Sequence, residues 1–207
     1  LIPFDSKSGG DYGFATYVNN AESRAEGLEA ILTREAGDRL RGSISYTLMF
    51  TEGVTEAADQ AINLAQWGFP VAAEPYPLSW DQRHTVKADA EWTLWDRVHL
   101  NAVVLYNSPR PFTYYPTRDG YRPADSSKVF VPNNRRMDHV IFVNVKGSVD
   151  LSVGTSGVMT IYVDGRNILG RSNVRWMDSS GRVGGELGDP SATYDPRRIR
   201  IGLEWRL

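Results

Sequence analysis

The chain of 207 residues contains no cysteine. That excludes a disulfide scaffold and every zinc or redox centre built on thiolate. Long apolar runs are also missing. None approaches the roughly 18 residues a membrane-crossing helix needs, which excludes a helical membrane protein. A membrane β-barrel survives this test, because alternation dilutes its apolar residues. Neither sign of charge dominates: 23 Lys and Arg face 25 Asp and Glu, for a net charge of −2. A general attraction to nucleic acid or anionic lipid has no support in that balance. No basic segment leads into an apolar stretch at the N-terminus, so no signal peptide is visible. What the chain does have is aromatic side chains, 11% of residues with six Trp and ten Tyr.

The residues alternate with period two. In LRGSISYTLMFT, Leu40, Gly42, Ile44, Tyr46, Leu48 and Phe50 share one side, and Arg41, Ser43, Ser45, Thr47, Met49 and Thr51 the other. A helix would mix these sets, so the segment reads as a strand with one apolar and one polar face. Val86, Ala88, Ala90, Trp92 and Leu94 oppose Arg83, Thr85, Lys87, Asp89, Glu91 and Thr93 in the same way. Val98 to Tyr106 follows after the tight link 95–97, and Met137 to Lys146 carries Ile141, Val143 and Val145 on one side. Thr16 to Arg34 reads as one long strand. In Gly157 to Asn167 the apolar side is not evident. The chain closes on RIGLEWRL, with Ile201, Leu203, Trp205 and Leu207 opposite Arg200, Gly202, Glu204 and Arg206. About seven strands are expected, most of roughly 9–13 residues, and no convincing long helix.

Connections alternate in length. Short ones fall near Ala36–Arg39 and Trp95–Arg97, with a middling Gly-rich one at Gly147–Gly157. Long ones cover Glu52–Asp81, Ser108–Arg136 and Gly170–Pro196 and hold most of the prolines. Structureless loops above about 15 residues are uncommon in compact soluble domains. Alternating with short turns, they place every long loop at one end of the sheet, the pattern of an outer-membrane barrel. Trp92, Trp95 and Trp205 then fall at the short-turn end, and Tyr76, Trp80, Tyr106 and Tyr115 near the opposite rim, as two interfacial girdles. The opening LIPFDSKSGGDYG reads as the remnant of another long loop, so a C-terminal piece of a larger barrel is expected. A soluble carbohydrate-binding β-sandwich remains an alternative, since its strands alternate too. So does a smaller outer-membrane barrel acting as enzyme or adhesin.

RIGLEWRL resembles the C-terminal signal of bacterial outer-membrane barrels through Arg200, Gly202, Trp205 and Leu207, the family more often ending in Phe. Further segments narrow the resemblance to TonB-dependent receptors: Asn19, Gly27, Leu28 and Glu29 in YVNNAESRAEGLEAIL; PLSWDQRHTVKADAEW; YNSPRPFT, with Pro109 where Gly is usual; Asp138 in RMDHVIFVNVKG; and Asn167 and Ile168 in VDGRNILGRSNV. The resemblance implies an all-β, antiparallel up-and-down transmembrane barrel of roughly 22 strands, of which residues 1–207 are the C-terminal portion. The plug, TonB box and remaining strands would lie outside this chain. It further implies outer-membrane localisation, active uptake of a scarce ligand such as a siderophore, cobalamin, oligosaccharide or metal complex, and no enzymatic activity. The implied partners are outer-membrane lipid, the barrel-assembly machinery, the plug of the same full-length chain and, through it, TonB; no nucleic acid partner and no cofactor are implied.

Two aromatic groups in the long loops are candidates for gripping a ligand by stacking: Trp67, Phe69, Tyr76 and Trp80, then Phe112, Tyr114, Tyr115 and Tyr121, with Arg118 and Arg122 adding charge. Packing among the loops is the competing reading. Arg83, Lys87, Asp89 and Glu91 are expected to face a watery lumen rather than to act as catalytic carboxylates. The histidines His84, His99 and His139 lie on three different strands. By parity His84 and His139 face outward near the outer rim and His99 inward near the other, an arrangement unsuited to a metal, whose ligands must converge.

Overall fold

The computed structural model describes residues 4–5, 16–17, 22–35, 37, 39–57, 60, 63–64, 69, 74–118, 122–123, 130–154 and 157–206. Seven long strands form one antiparallel sheet: β1 Ser23–Arg34, β2 Leu40–Gly53, β3 His84–Trp95, β4 Val98–Asn107, β5 Val140–Val153, β6 Gly157–Arg166 and β7 Arg198–Arg206. Each pairs with its neighbours in sequence, so the sheet is an up-and-down meander. Short connections at 35–39, 96–97 and 154–156 close hairpins at one end, and those at 54–83, 108–139 and 167–197 all emerge at the other.

Register turns the alternation of single strands into two continuous faces, because side chains directly opposite each other point the same way. Leu32, Ile44, Ala88, Val104 and Val143 stand in one row across five strands. Nearer the short turns, Val98, Val149, Ile161 and Leu203 form another. On the opposite face Arg41, Glu91, Asn101, Lys146, Asp164 and Arg200 make a row in which charges alternate in sign around one amide.

Nothing described covers the apolar face. Ile44 is 50% exposed, Trp92 47%, Ile201 78% and Leu203 60%. Only Tyr76, Leu78, Tyr115, Val140 and Ala192 are hydrophobic and buried among the described residues, and none of them lies mid-strand. A β-sandwich buries one face of each sheet against the other. This sheet does not, which removes the sandwich alternative.

Several expectations need correction. Thr16–Tyr17, expected in one strand with Arg34, pairs with Phe4–Asp5, and the ladder of β1 starts at Ser23 opposite Gly53. Gly147 belongs to no turn. It lies inside β5 opposite Leu100 and Val163, so the hairpin is much tighter than expected. A register shift between Thr93 and Trp95 breaks the parity of β3, and Trp95 rather than Leu94 stands opposite Val98. A bulge of this kind re-aims the side chains that follow it. Trp95 is 69% exposed at the short-turn end. In β6 register decides what the sequence left open: Met159, Ile161 and Val163 join the apolar face, and Thr160, Tyr162 and Asp164 the polar one.

Candidate functional site on the polar face and its loop cap

The polar face is wired across strands. At the short-turn end Thr93 Oγ1 meets His99 Nδ1 at 3.3 Å, and His99 Nε2 lies 3.5 Å from Asp150. Asp150 accepts from Thr160 Oγ1 at 2.6 Å, and Thr160 from Arg206 at 3.3 Å. This chain of contacts joins β3 to β7. Lys87, Asp89 and Glu91 alternate with the apolar members of β3 and so share this face; Asp89 also accepts from Ser43. Arg83 stands just outside the ladder. Its guanidinium lies 5.2 Å from the Phe50 ring centroid and its Nε 3.5 Å from Asp81, so it sits at the rim rather than in a row with Lys87.

The histidines do not converge. His84 stacks on Tyr46 and shares a 2.8 Å hydrogen bond with its hydroxyl, on the apolar face at the long-loop end. His139 lies 2.9 Å from Asp138 with its ring 5.8 Å from that of Tyr106. His99 is at the opposite end of the sheet.

Over the long-loop end the connections fold on each other around a residue that sequence reading missed. Asp81 is 1% exposed. It accepts from the backbone N–H of Thr51 at 3.0 Å and pairs with Arg136, which also donates to Asp81 O at 3.0 Å and Pro109 O at 2.7 Å. A buried carboxylate holds its charge only when paired and hydrogen-bonded. Here the pairing ties the ends of β2, β3 and β4 to the lead-in of β5. Asn173, also 1% exposed, plays a strand's part: its amide accepts from Ile141 N–H at 3.0 Å and donates to Ile141 O at 2.8 Å. It thereby satisfies β5 where β6 no longer runs beside it. The signal for Asp81 and Asn173 was their polarity within loops that otherwise gather aromatics and proline, but sequence spacing carries no hint of their burial.

The candidate ligand residues divide. Tyr76 is 7% exposed, with its hydroxyl accepting from Gln60 Nε2 at 2.9 Å, and Tyr115 is 8% exposed against Phe69 and Phe130, with centroids at 5.2 and 5.4 Å. Neither has a free ring face, and neither belongs to an interfacial girdle; both are core of the loop cap. Burial pushes the Tyr76 phenol above its ordinary value near 10, against a downward pull from the Gln60 hydrogen bond and a further rise from Glu56. Trp80 stays 44% exposed. Phe112 and Tyr114 line a cavity of about 440 Å³ with Arg135, Asp138 and Met177, the Arg135 guanidinium 4.0 Å from the Tyr114 centroid. Trp67, Tyr121 and Leu207 lie outside the described residues, and at Arg118 and Arg122 only the backbone is described, paired in a short ladder.

Of the C-terminal residues, Gly202 has a local cause. A Cβ there would overlap the ring of Tyr162, whose ring also receives the Lys146 ammonium at 4.6 Å. Arg200 lies 3.7 Å from Asp164, and Trp205 stands opposite Met159 on the apolar face, 57% exposed.

Seven meandering strands, one bare apolar face, one charged face and a self-packed cap at one end make an antiparallel up-and-down sheet with the build of a β-barrel wall. A variant of the ferric enterobactin receptor of Pseudomonas aeruginosa has this fold: 98% of the chain superposes on 25% of that receptor, with a TM-score of 0.52 and 18% identity. The chain thus spans about a quarter of that receptor's length. No family model and no curated protein sequence matches it.

Proposed function

We propose that the chain is the C-terminal barrel wall of a TonB-dependent outer-membrane receptor that imports a scarce ligand too large for porins. The observation that supports this most is the pair of faces that register assembles: apolar and bare on one side, charged and cross-linked on the other. Hydrocarbon tolerates strands only when every backbone group is paired and the outward side chains are apolar. Mid-strand residues of β2 to β6 meet both conditions. Lys87, Asp89 and Glu91 would then border water and the plug. The loop cap over β2 to β7 would meet ligand from outside. Ligand capture would displace contacts between loops and plug, and TonB, pulling on the plug, would open a path along the polar face. Barrel-assembly machinery would engage the exposed edge of β7, an unpaired strand edge being a template for strand addition.

The test is made in cells expressing the full-length protein. Uptake of a ferric siderophore panel, oligosaccharides and cobalamin is measured with TonB present and deleted. Uptake of one class that vanishes without TonB supports the proposal. A full-length product without a plug upstream of Leu1, or uptake indifferent to TonB, defeats it.

A further inference from the structure

At the last residue of β1 the apolar face carries a charge. Arg34 follows Leu32 by two positions and stands opposite Gly42, in the row next to Leu32 and Ile44. It therefore shares their face. A cation on the lipid side of a barrel wall is costly at the bilayer midplane and tolerated near the interface. Arg34 has no ion pair and no side-chain hydrogen bond among the described residues. Its guanidinium is turned toward the short connection at 35–39, with Nη2 4.0 Å from the point that a Cβ on Gly37 would occupy. That is the direction in which a long basic side chain snorkels from hydrocarbon to headgroup level.

Beside this charge the sheet has a hollow. A cavity of about 190 Å³ is lined by Arg34, Leu32, Leu40 and Ile44, with the ladder partners Gly42 and Ala90 between them. Two small residues side by side leave backbone bare, and a Cβ on Gly42 would overlap the carbonyl oxygen of Asp89. Asp89 carries its side chain on the other face and so adds only backbone to the floor. The volume is below the range of compact small-molecule sites, and it suits a stretch of one flexible chain instead. Leu40 stands opposite the half-exposed Trp92, so an indole of the kind that sits at a membrane interface flanks the hollow.

We infer that this hollow seats one glycerophospholipid of the leaflet at the short-turn end, an acyl chain lying over Gly42 and Ala90 and the phosphate on the Arg34 guanidinium. Guanidinium forks match phosphate oxygens in bidentate geometry. Hydrocarbon alone gives no preference for this spot, because lipid tails are as apolar as leucine. The unpaired charge supplies the preference. The hollow adds the need for a chain, since wall atoms facing empty space forfeit their contacts. The inference rests on one part of the receptor reading, that the apolar face meets hydrocarbon. A retained phospholipid would then tie the hairpin of β1 and β2 to the headgroup level.

The experiment purifies the full-length protein in detergent, strips it of lipid and titrates it with dioleoyl phosphatidylglycerol, counting retained molecules by native mass spectrometry. Dioleoylglycerol supplies the same chains without phosphate, and glycerol phosphate the same phosphate without chains. Phosphatidylglycerol is expected to be retained and dioleoylglycerol to be lost. Arg34→Gln should weaken retention by about tenfold, as loss of a hydrogen-bonded charge does. Arg97→Gln removes the same charge from the neighbouring short turn, outside the hollow, and should change retention less than about twofold. Ala90→Leu fills the hollow and should weaken retention several-fold; it repeats the test should Arg34→Gln fail to fold. A phosphatidylglycerol with a photoactivatable acyl chain should mark Leu32 and Ile44 ahead of Val143, which stands in the same row. No retained phosphatidylglycerol, equal retention of dioleoylglycerol, displacement by glycerol phosphate at equal concentration, equal losses from Arg34→Gln and Arg97→Gln, or equal marking of Ile44 and Val143 each overturn the assignment. TonB-dependent uptake with no retained phospholipid would sink this inference and leave the receptor reading standing; a retained phospholipid without TonB-dependent uptake would do the reverse.

Discussion

The two ends of the sheet are built on different physics. At the short-turn end, polar side chains bridge strand to strand in single steps, Thr93 to His99 to Asp150 to Thr160 to Arg206, and every member but Thr160 stays at least partly open to solvent. At the long-loop end the chain makes its own core. Asp81, Asn173 and Ala192 are at most 1% exposed, and the hydrogen bonds run from side chain to backbone. Strands tied by a backbone ladder need little help from side chains. Loops have no ladder, so each buried donor and acceptor must find a local partner. One chain therefore holds a wall stabilised by pairing and environment and a cap stabilised like a small globular domain.

The sharpest way to separate them is Arg136→Ala. It strips the nearer of the two guanidiniums from buried Asp81, leaving Arg83 at 3.5 Å, and should cost about 2–3 kcal/mol. Proteolysis in intact cells should then cut the connection at 54–83 while the heat-modifiable mobility of the barrel persists. Simultaneous loss of both would mean that the cap and wall form one cooperative unit.

Of similar size is the contrast between the faces. Ile44→Arg should lower membrane-folded stability by roughly 2–4 kcal/mol if its row lies near the bilayer midplane, and Ser45→Arg, one residue along, should leave it nearly unchanged. Urea midpoints in lipid vesicles decide. Equal damage from both would contradict the assignment of faces.

Gly202→Ala probes the wall from within. Overpacking against Tyr162 should cost about 1–3 kcal/mol, and pairing it with Tyr162→Ser should recover part of that loss, since neighbours that share space are not additive. Additive losses would place the role of Gly202 outside the folded sheet.

The smallest effect belongs to the cap. Tyr76→Phe should cost about 1 kcal/mol through the lost Gln60 hydrogen bond. Because burial raises the Tyr76 pKa, the folded state favours the neutral phenol. Its contribution is complete below roughly pH 10 and declines as pH rises through the raised folded value. The phenylalanine variant should lack that alkaline decline in a pH series of unfolding midpoints.

Much of this was legible in the residues. Ile44 against Ser45 and Ala88 against Asp89 announce a two-faced strand before any neighbour is known, because side-chain period is a property of the backbone alone. The all-β meander and the gathering of long loops at one end follow from strand lengths and connections. Leu94 was expected in the place opposite Val98 that Trp95 takes, because a bulge is a relation between two strands. Gly147 was read as turn because glycine marks turns more often than it sits mid-strand. Tyr76 and Tyr115 looked like ligand platforms, and burial assigned them to packing.

By itself the sequence determined which side chains could share a face and that no thiol or helical span takes part. Only the tertiary structure decided which rows line up across strands, that Arg166 confronts Arg198, and that buried Asp81 pairs with Arg136. Alternation is local and survives in any register. Juxtaposition between residues 55 positions apart, as with Asp81 and Arg136, exists only once loops close and the ladder is in place.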